Sequence, residues 1–269
     1  MQSKITGGAT TLLFTAKILN KHDVNFYRCN DTGFIQTEEP FWLDEDYSSA
    51  ITKLDVGLLY RNINSADMVS KLLIRDFNYK GTFLDYAGGY GVFTRLMRDK
   101  GFNFYHTDKF CPNLFAEYFE LDDVPANTRF ELVTAFEVFE HLANPIQEIK
   151  KMLEFSDNLF FSTELQPEQI EAVKDWPYFS TETGQHIAFY TEASLKAIAG
   201  QLGYSFYTDG RFLHLFTKTN FNHNPLTPVK DNFLLRKAKK YVKKAQQKMG
   251  VPDSLLMVDW KYIKDKLNK

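Results

Sequence analysis

The chain of 269 residues is 44% hydrophobic and 25% charged, a globular composition that excludes a disordered or collagen-like protein. Its formal net charge of -2 gives no overall sign of nucleic-acid binding, and its length fits one large α/β domain with appendages or two smaller domains. It has no stretch of about 18 apolar residues and no convincing signal peptide, so we expect a cytoplasmic protein without a membrane span.

Residues 1–66 are rich in turn-forming and aromatic residues and show no long hydrophobic period. This pattern is typical of irregular structure, apart from a possible helix near Ser65–Phe77. We therefore predict an N-terminal extension or lid that packs on the main domain.

Residues 67–220 alternate between short apolar runs and segments with helical spacing. The predicted strands are 82–87, 102–108, 130–136, 158–163, 204–207 and 212–217, and the predicted helices are 92–100, 145–153 and 192–202. Strands separated by helices of this length indicate βαβ units and a parallel sheet, which makes the fold α/β. The last two strands are expected to form a hairpin that gives the sheet an antiparallel edge.

Residues 221–269 form a region of different character. The segment Lys230–Lys248 contains eight Lys or Arg residues and one Asp, with apolar residues at helical spacing, which predicts a basic helical tail. This tail either packs its apolar stripe on the main domain, the interpretation we favour, or makes peripheral contact with an anionic membrane or a partner. Nucleic-acid binding is not expected, because no basic and aromatic groove is evident elsewhere.

The strongest motif is L-D-Y-A-G-G-Y-G at residues 84–91, which follows a predicted strand and opens a predicted helix. Glycines allow a tight turn and let a ligand approach the main chain. Asp85 could accept a hydrogen bond from a ligand amino group. Asp108 ends the next strand, where an acid can accept from both hydroxyls of a ribose. This spacing predicts an adenosyl ligand.

A nicotinamide-dinucleotide enzyme is the close alternative. Its fingerprint is G-x-G-x-x-G, whereas the glycines here fall as A-G-G-Y-G without the third glycine at the required offset. Asp85 directly before the turn would also repel a pyrophosphate, while it suits a cationic sulfonium amino acid.

These residues resemble the class I methyltransferases that use S-adenosyl-L-methionine. The segment 84–91 is similar to their first motif, with Ala87 at the first glycine, and Asp108 matches their ribose-binding acid. Phe136–Pro145 is similar to their E-V-x-E-H segment. The resemblance covers residues 80–217 and implies a Rossmann-like, mostly parallel seven-stranded sheet with an antiparallel edge strand. The expected cofactor contacts are Asp85, Ala87, Gly88, Gly89, Gly91, Asp108, Lys109, Phe136, Glu137 and Arg61. Arg61 would pair with the cofactor carboxylate, or else forms only a surface ion pair.

Three residues are candidates for catalysis. Glu140 and His141 follow a strand at the carboxyl edge of the sheet, where ligands bind in such folds, so His141 is a base or orienting group unless both residues are structural. His186 lies in a loop after the next strand, where a neutral imidazole can remove a hydroxyl proton. Its alternative role is a structural hydrogen bond to the main chain.

The run G-Q-H-I-A-F-Y-T at 184–191 is similar to methyltransferases of sugars and cell-surface polysaccharides. In their C-methylating members the histidine follows a glutamate, while Gln185 stands here, which favours O-methylation. Those members also carry a cysteine zinc site. Cys29 stands alone near the N-terminus, and a structural zinc needs four ligands, so no metal is expected.

The sequence thus predicts a methyltransferase that O-methylates a sugar or a polysaccharide-related acceptor. The alternatives are a methyltransferase for another small metabolite, a protein or RNA, and a non-catalytic protein that binds S-adenosylmethionine as a scaffold.

Overall fold

The computed structural model describes residues 1–43, 51, 55–227 and 252–267. The predicted basic helix over Lys230–Lys248 lies outside the described residues. Within them, no helix combines the length and the apolar character that crossing a bilayer requires.

The described chain forms two β-sheets and five α-helices. In chain order the elements are β1 (Thr10–Ile18), β2 (His22–Cys29), β3 (Ile35–Thr37), α1 (Leu58–Asp76), β4 (Thr82–Tyr86), α2 (Val92–Asp99), β5 (Asn103–Thr107), β6 (Leu132–Ala135), α3 (Pro145–Phe155), β7 (Asn158–Ser162), β8 (Ala188–Phe189), α4 (Glu192–Leu202), β9 (Ser205–Thr208), β10 (Leu213–Thr217) and α5 (Leu256–Leu267).

The central sheet has the strand order β5-β4-β6-β7-β10-β9. Strands β4 to β7 are parallel to one another, and β10 runs antiparallel to both of its neighbours. This arrangement confirms the predicted α/β class. The expected seven strands are six in the described residues, and the antiparallel strand lies one position inside the edge. Beside β5, the position of a seventh strand is occupied by a single parallel bridge between His106 and Glu120.

Helices cover both faces of this sheet, as a parallel sheet requires. On one face, α1 and α2 bury residues such as Leu72 and Met97 against Phe104. On the other face, α3 and α4 bury residues such as Ile149 and Ile198 in one cluster with strand residues such as Phe161. Because helices cover both faces of the sheet, polar groups can contact a ligand at the carboxyl ends of the strands.

The N-terminal segment is not irregular, as the sequence had suggested, because β1, β2, β3 and β8 form an antiparallel sheet. β1 and β2 are a hairpin whose loop follows Ile18, and Leu19 and Asn20 there both have a φ of 55°. Glycine usually supplies this conformation, and neither residue is glycine. The usual sequence signal of a hairpin is therefore missing.

The C-terminal helix α5 is attached to α2 by a buried ion pair. Asp259 Oδ1 accepts from Arg98 at 2.7 Å, and its Oδ2 accepts from Arg95 and Arg98 at 2.8 Å. Asp259 is 2% exposed and Arg98 is 4% exposed. Removing one partner of such a pair leaves the other charge buried and uncompensated.

We therefore expect Asp259→Ala to lower the free energy of unfolding by about 3 kcal/mol, measured by urea denaturation. Asp265→Ala on the exposed side of α5 is the matched control and should change it by less than about 0.5 kcal/mol. Equal stability of the two variants would show that the ion pair does not hold α5 in place.

Candidate active site

A cavity of about 1110 Å³ opens at the carboxyl ends of β4, β5 and β6. This exceeds the volume of about 300–1,000 Å³ that is usual for a drug-sized ligand, so it has room for a nucleoside and a second molecule. Its walls come from the glycine turn, from the loops after β5 and β6, from α1 and from the segment 177–186.

The glycine turn between β4 and α2 is tightly packed. A side chain at Gly88 would overlap the Asp85 carboxylate and would come within 2.8 Å of the His106 ring. Gly91 has a φ of 83° and caps α2, and a side chain there would overlap Asn113. The turn therefore requires glycine at both positions.

Ala87 departs from the glycine pattern and has a φ of 55°. For a residue with a Cβ atom this left-handed conformation costs roughly 1–2 kcal/mol. The turn thus keeps the shape of the glycine motif at the expense of backbone strain.

Asp85 is 2% exposed and lies beneath the turn. Its carboxylate accepts hydrogen bonds from Thr134 at 2.9 Å and from Thr94 at 3.2 Å. Burial raises the pKa of Asp85 to about 7. Both of its oxygens already have partners inside the protein, so the carboxylate braces β4 against β6 and α2.

Asp108 faces the cavity from the end of β5. One carboxylate oxygen accepts from the Gly89 N–H at 2.8 Å. The other accepts from the N–H groups of Phe110 and Cys111 at 2.7 and 2.8 Å. The acid is therefore held by main-chain donors directly beside the glycine turn.

Phe136, Glu137, Lys109 and Arg61 also line the cavity. Glu137 has a φ of 55° and accepts at 2.8 Å from Ser162. Arg61 binds both Asp55 oxygens at 2.8 Å and lies 3.9 Å from Glu137. Its guanidinium thus has two anionic neighbours from the protein itself.

Glu140, His141 and His186 form a cluster, and the two histidines line the same cavity. The two imidazole rings are 5.0 Å apart. His141 donates from Nδ1 to the Gln185 carbonyl at 3.0 Å, and His186 donates from Nδ1 to the Tyr178 carbonyl at 2.6 Å. A carbonyl can only accept, so each Nδ1 carries the proton and each Nε2 keeps its lone pair.

Burial lowers the pKa of both histidines, to about 3 for His141, where the charge of His186 also contributes. Both rings are therefore neutral at physiological pH. Glu140 is fully buried, and burial raises its pKa to about 7.

The loop that carries His186 is fixed by the N-terminal sheet. Trp42, which is fully buried, donates to the Gly184 carbonyl at 2.9 Å. The Thr37 N–H donates to Ile187 at 3.1 Å, and β3 pairs with β8 directly after that residue. The N-terminal segment thus contributes to the position of the histidine.

All the predicted site residues except Gly91 and Glu140 line the cavity. Gly91 caps α2, and Glu140 is buried beside His141. Sequence reasoning missed Thr134, Ser162 and Trp42. The first two had a signal, because each is a polar residue near the carboxyl end of an otherwise apolar strand. Trp42 had none, since its partner lies 142 residues away.

A parallel α/β sheet with a glycine turn and an acid after the next strand defines a Rossmann-like protein of the nucleotide-binding type. The family model described as "Methyltransferase domain" matches residues 61–208, so the chain belongs to that family. The protein is accordingly an S-adenosylmethionine-dependent methyltransferase of class I, as the resemblance implied. Among curated proteins, none matches the chain in sequence.

Several solved structures resemble the fold. Magnesium protoporphyrin IX methyltransferase of Synechocystis PCC 6803, with SAH bound, is 17% identical over 65% of this chain and 93% of its own, with a TM-score of 0.46. The plantazolicin methyltransferase BpumL in complex with SAH is 11% identical over 66% of this chain and 94% of its own, also with a TM-score of 0.46. CalO1, a methyltransferase in calicheamicin biosynthesis, is 16% identical over 66% and 61%, at 0.42. Similarities this distant say nothing about the acceptor.

The strain at Ala87 yields a test. We expect Ala87→Gly to raise the free energy of unfolding by about 1 kcal/mol, because glycine adopts the left-handed conformation without the Cβ clash. Ala193→Gly, on the exposed side of the first turn of α4, should lower it by less than about 1 kcal/mol, because glycine has a lower helix propensity than alanine. Urea denaturation of both variants measures the two effects, and a loss of stability in both would contradict the strain.

Proposed function

We propose that the protein transfers the methyl group of S-adenosylmethionine to a hydroxyl oxygen of a small-molecule acceptor. The observation that carries this proposal is that one cavity is lined both by the glycine turn with Asp108 and by two neutral histidines. The turn and the acid suit a nucleoside, and the histidines supply proton acceptors.

The cofactor would lie across the glycine turn. Asp108 would accept from the ribose hydroxyls, and Phe136 and Lys109 would flank the adenosyl group. Arg61 would bind the carboxylate of the methionine part of the cofactor. Because Arg61 is bound to Asp55, the ligand would share or replace that ion pair. Asp85 would support the turn from below, since its oxygens already accept from threonines.

The acceptor hydroxyl would then lie between the sulfonium and the histidines. As the oxygen attacks, the O–CH₃ bond forms, the S–CH₃ bond breaks, and S-adenosylhomocysteine leaves with the electron pair on sulfur. The hydroxyl proton moves to a base, for which His186 Nε2 is the first candidate and His141 the second. Alignment of the two reactants supplies most of the rate enhancement, and proton removal adds to it.

The acceptor class that we favour is a sugar or a polysaccharide-related molecule. It is supported by the resemblance of residues 184–191 and by Tyr178, an aromatic residue that lines the cavity. Incubation with labelled S-adenosylmethionine and a panel of nucleotide sugars and oligosaccharides tests it. Methyl transfer only to a non-sugar metabolite, a protein or RNA would show that the acceptor is not a sugar. Binding of S-adenosylmethionine without transfer to any acceptor would favour the scaffold alternative.

The cofactor site is tested by Asp108→Ala, which should abolish detectable binding of S-adenosylmethionine in calorimetry. The variant loses the acceptor for the ribose and the partner of the Gly89 N–H. The control is Asp122→Ala, which changes an exposed acid in the segment that follows β5. This variant should bind S-adenosylmethionine like the wild type. Undiminished binding by Asp108→Ala would remove this acid from the cofactor site.

The proton acceptor is tested by His186→Ala. Binding of S-adenosylmethionine should persist while kcat falls by roughly 10²–10⁴-fold, the usual contribution of a general base. His223→Ala, a histidine 48% exposed at the side chain, should keep the wild-type rate. Unchanged turnover in His186→Ala would exclude a catalytic role for that residue.

A further inference from the structure

The cluster of Glu140, His141 and His186 has the composition of a metal site. One potential donor atom from each residue lies within 4.8 Å of the donor atoms of the other two. Two imidazoles and a carboxylate are a donor set that first-row transition metals favour over Mg²⁺ or Ca²⁺. The sequence predicts no metal because Cys29 stands alone, whereas this cluster contains no cysteine.

Glu140 is the independent observation that points to a ligand. Its side chain is fully buried, and neither carboxylate oxygen makes a hydrogen bond of good geometry in the described part of the chain, although the hydroxyls of Tyr178 and Thr163 lie close enough to lower its pKa against the rise caused by burial. The nearby hydroxyls of Tyr178 and Thr163 are hydrogen-bonded to each other at 3.2 Å. A buried carboxylate without partners is costly unless a cation or a proton compensates it.

The two histidines are oriented as metal ligands usually are. Each Nδ1–H is fixed by a main-chain carbonyl, which sets the tautomer and directs the ring. Nε2 of each ring therefore keeps the lone pair with which an imidazole binds a metal ion.

We propose that Glu140, His141 and His186 bind one divalent first-row transition-metal ion, such as Co²⁺, Mn²⁺ or Zn²⁺. His141, His186 and the neighbouring Glu137 line the cavity, so the ion would face the acceptor. Three protein ligands leave coordination positions open for acceptor oxygens, as catalytic metal sites do.

The ion would change how the acceptor loses its proton. A hydroxyl bound to a divalent cation ionises more readily, and it is held near the methyl group at the same time. His186 would then act as a ligand, and the proton would leave to water or to a neighbouring carboxylate such as Glu137. This catalytic consequence rests on the proposed function, whereas binding of the ion does not.

The direct test is calorimetric titration of the tag-free, chelator-treated full chain with CoCl₂, MnCl₂, ZnCl₂ and MgCl₂. We expect one equivalent of a transition-metal ion to bind, at least tenfold tighter than Mg²⁺, with visible absorption bands for Co²⁺. His186→Ala and Glu140→Gln should each weaken binding at least tenfold, while His223→Ala should match the wild type. Absence of stoichiometric binding by the wild type, or equal binding by all variants, would overturn the site.

Thermal unfolding separates loss of the site from loss of the fold. The ion should raise the Tm of the wild type, because it binds only the folded chain. Glu140→Gln without metal should unfold at or above the wild-type Tm, because no buried charge remains, and added metal should leave its Tm unchanged. A metal-induced rise in Glu140→Gln equal to that of the wild type would contradict the proposal.

Activity with and without chelator distinguishes this inference from the proposed function. Methyl transfer that proceeds at the same rate in EDTA, together with no metal binding, would remove the metal site and leave the methyltransferase proposal standing. Stoichiometric metal binding without transfer to any acceptor hydroxyl would support the site and count against the proposed reaction.

Discussion

Two hydrogen bonds determine how the two histidines of the cavity are placed relative to each other. The Ile187 N–H donates to the Glu140 carbonyl at 2.9 Å, and His141 Nδ1 donates to the Gln185 carbonyl at 3.0 Å. They join the segment after β6 to the loop before β8, two segments that are distant in sequence. Without this junction the two histidines would have no fixed relation, and neither a shared proton nor a shared ion could be held between them.

The junction is supported from behind by the N-terminal sheet. β3 pairs with β8, and Trp42 fixes the Gly184 carbonyl, so the His186 loop lies between the central sheet and a second sheet. The N-terminal segment is thus part of the wall of the site. The fold and the site depend on each other here, because β8 belongs to the loop and to the second sheet at once.

Local patterns in the sequence predicted most of the central domain. Strand and helix periods, the glycine turn and Asp108 are encoded within short windows, and the parallel sheet follows from their alternation. The β1–β2 hairpin could not be predicted, because Leu19 and Asn20 adopt a conformation that usually signals glycine. The described residues supply six of the seven expected strands, and nothing in the local sequence shows that the chain after β5 makes only one bridge.

The site was predicted less completely than the fold. Glu140, His141 and His186 were each chosen from sequence, but their convergence depends on packing between segments that are distant in the chain. Asp85 was expected to meet a ligand, and its environment shows why sequence could not decide this. Thr94 and Thr134, which occupy its oxygens, come from two other elements. Three-dimensional neighbours decide whether a carboxylate faces a ligand or braces the protein.

The three main-chain N–H groups on Asp108 have a thermodynamic consequence. They fix the rotamer of the side chain before any ligand arrives, so the entropy of ordering it is lost during folding and is not lost again on association. A ligand that donates to this carboxylate meets a rigid acceptor. The three donors also hold both carboxylate oxygens in place, so the acid selects a ligand by the geometry of the donors that it offers.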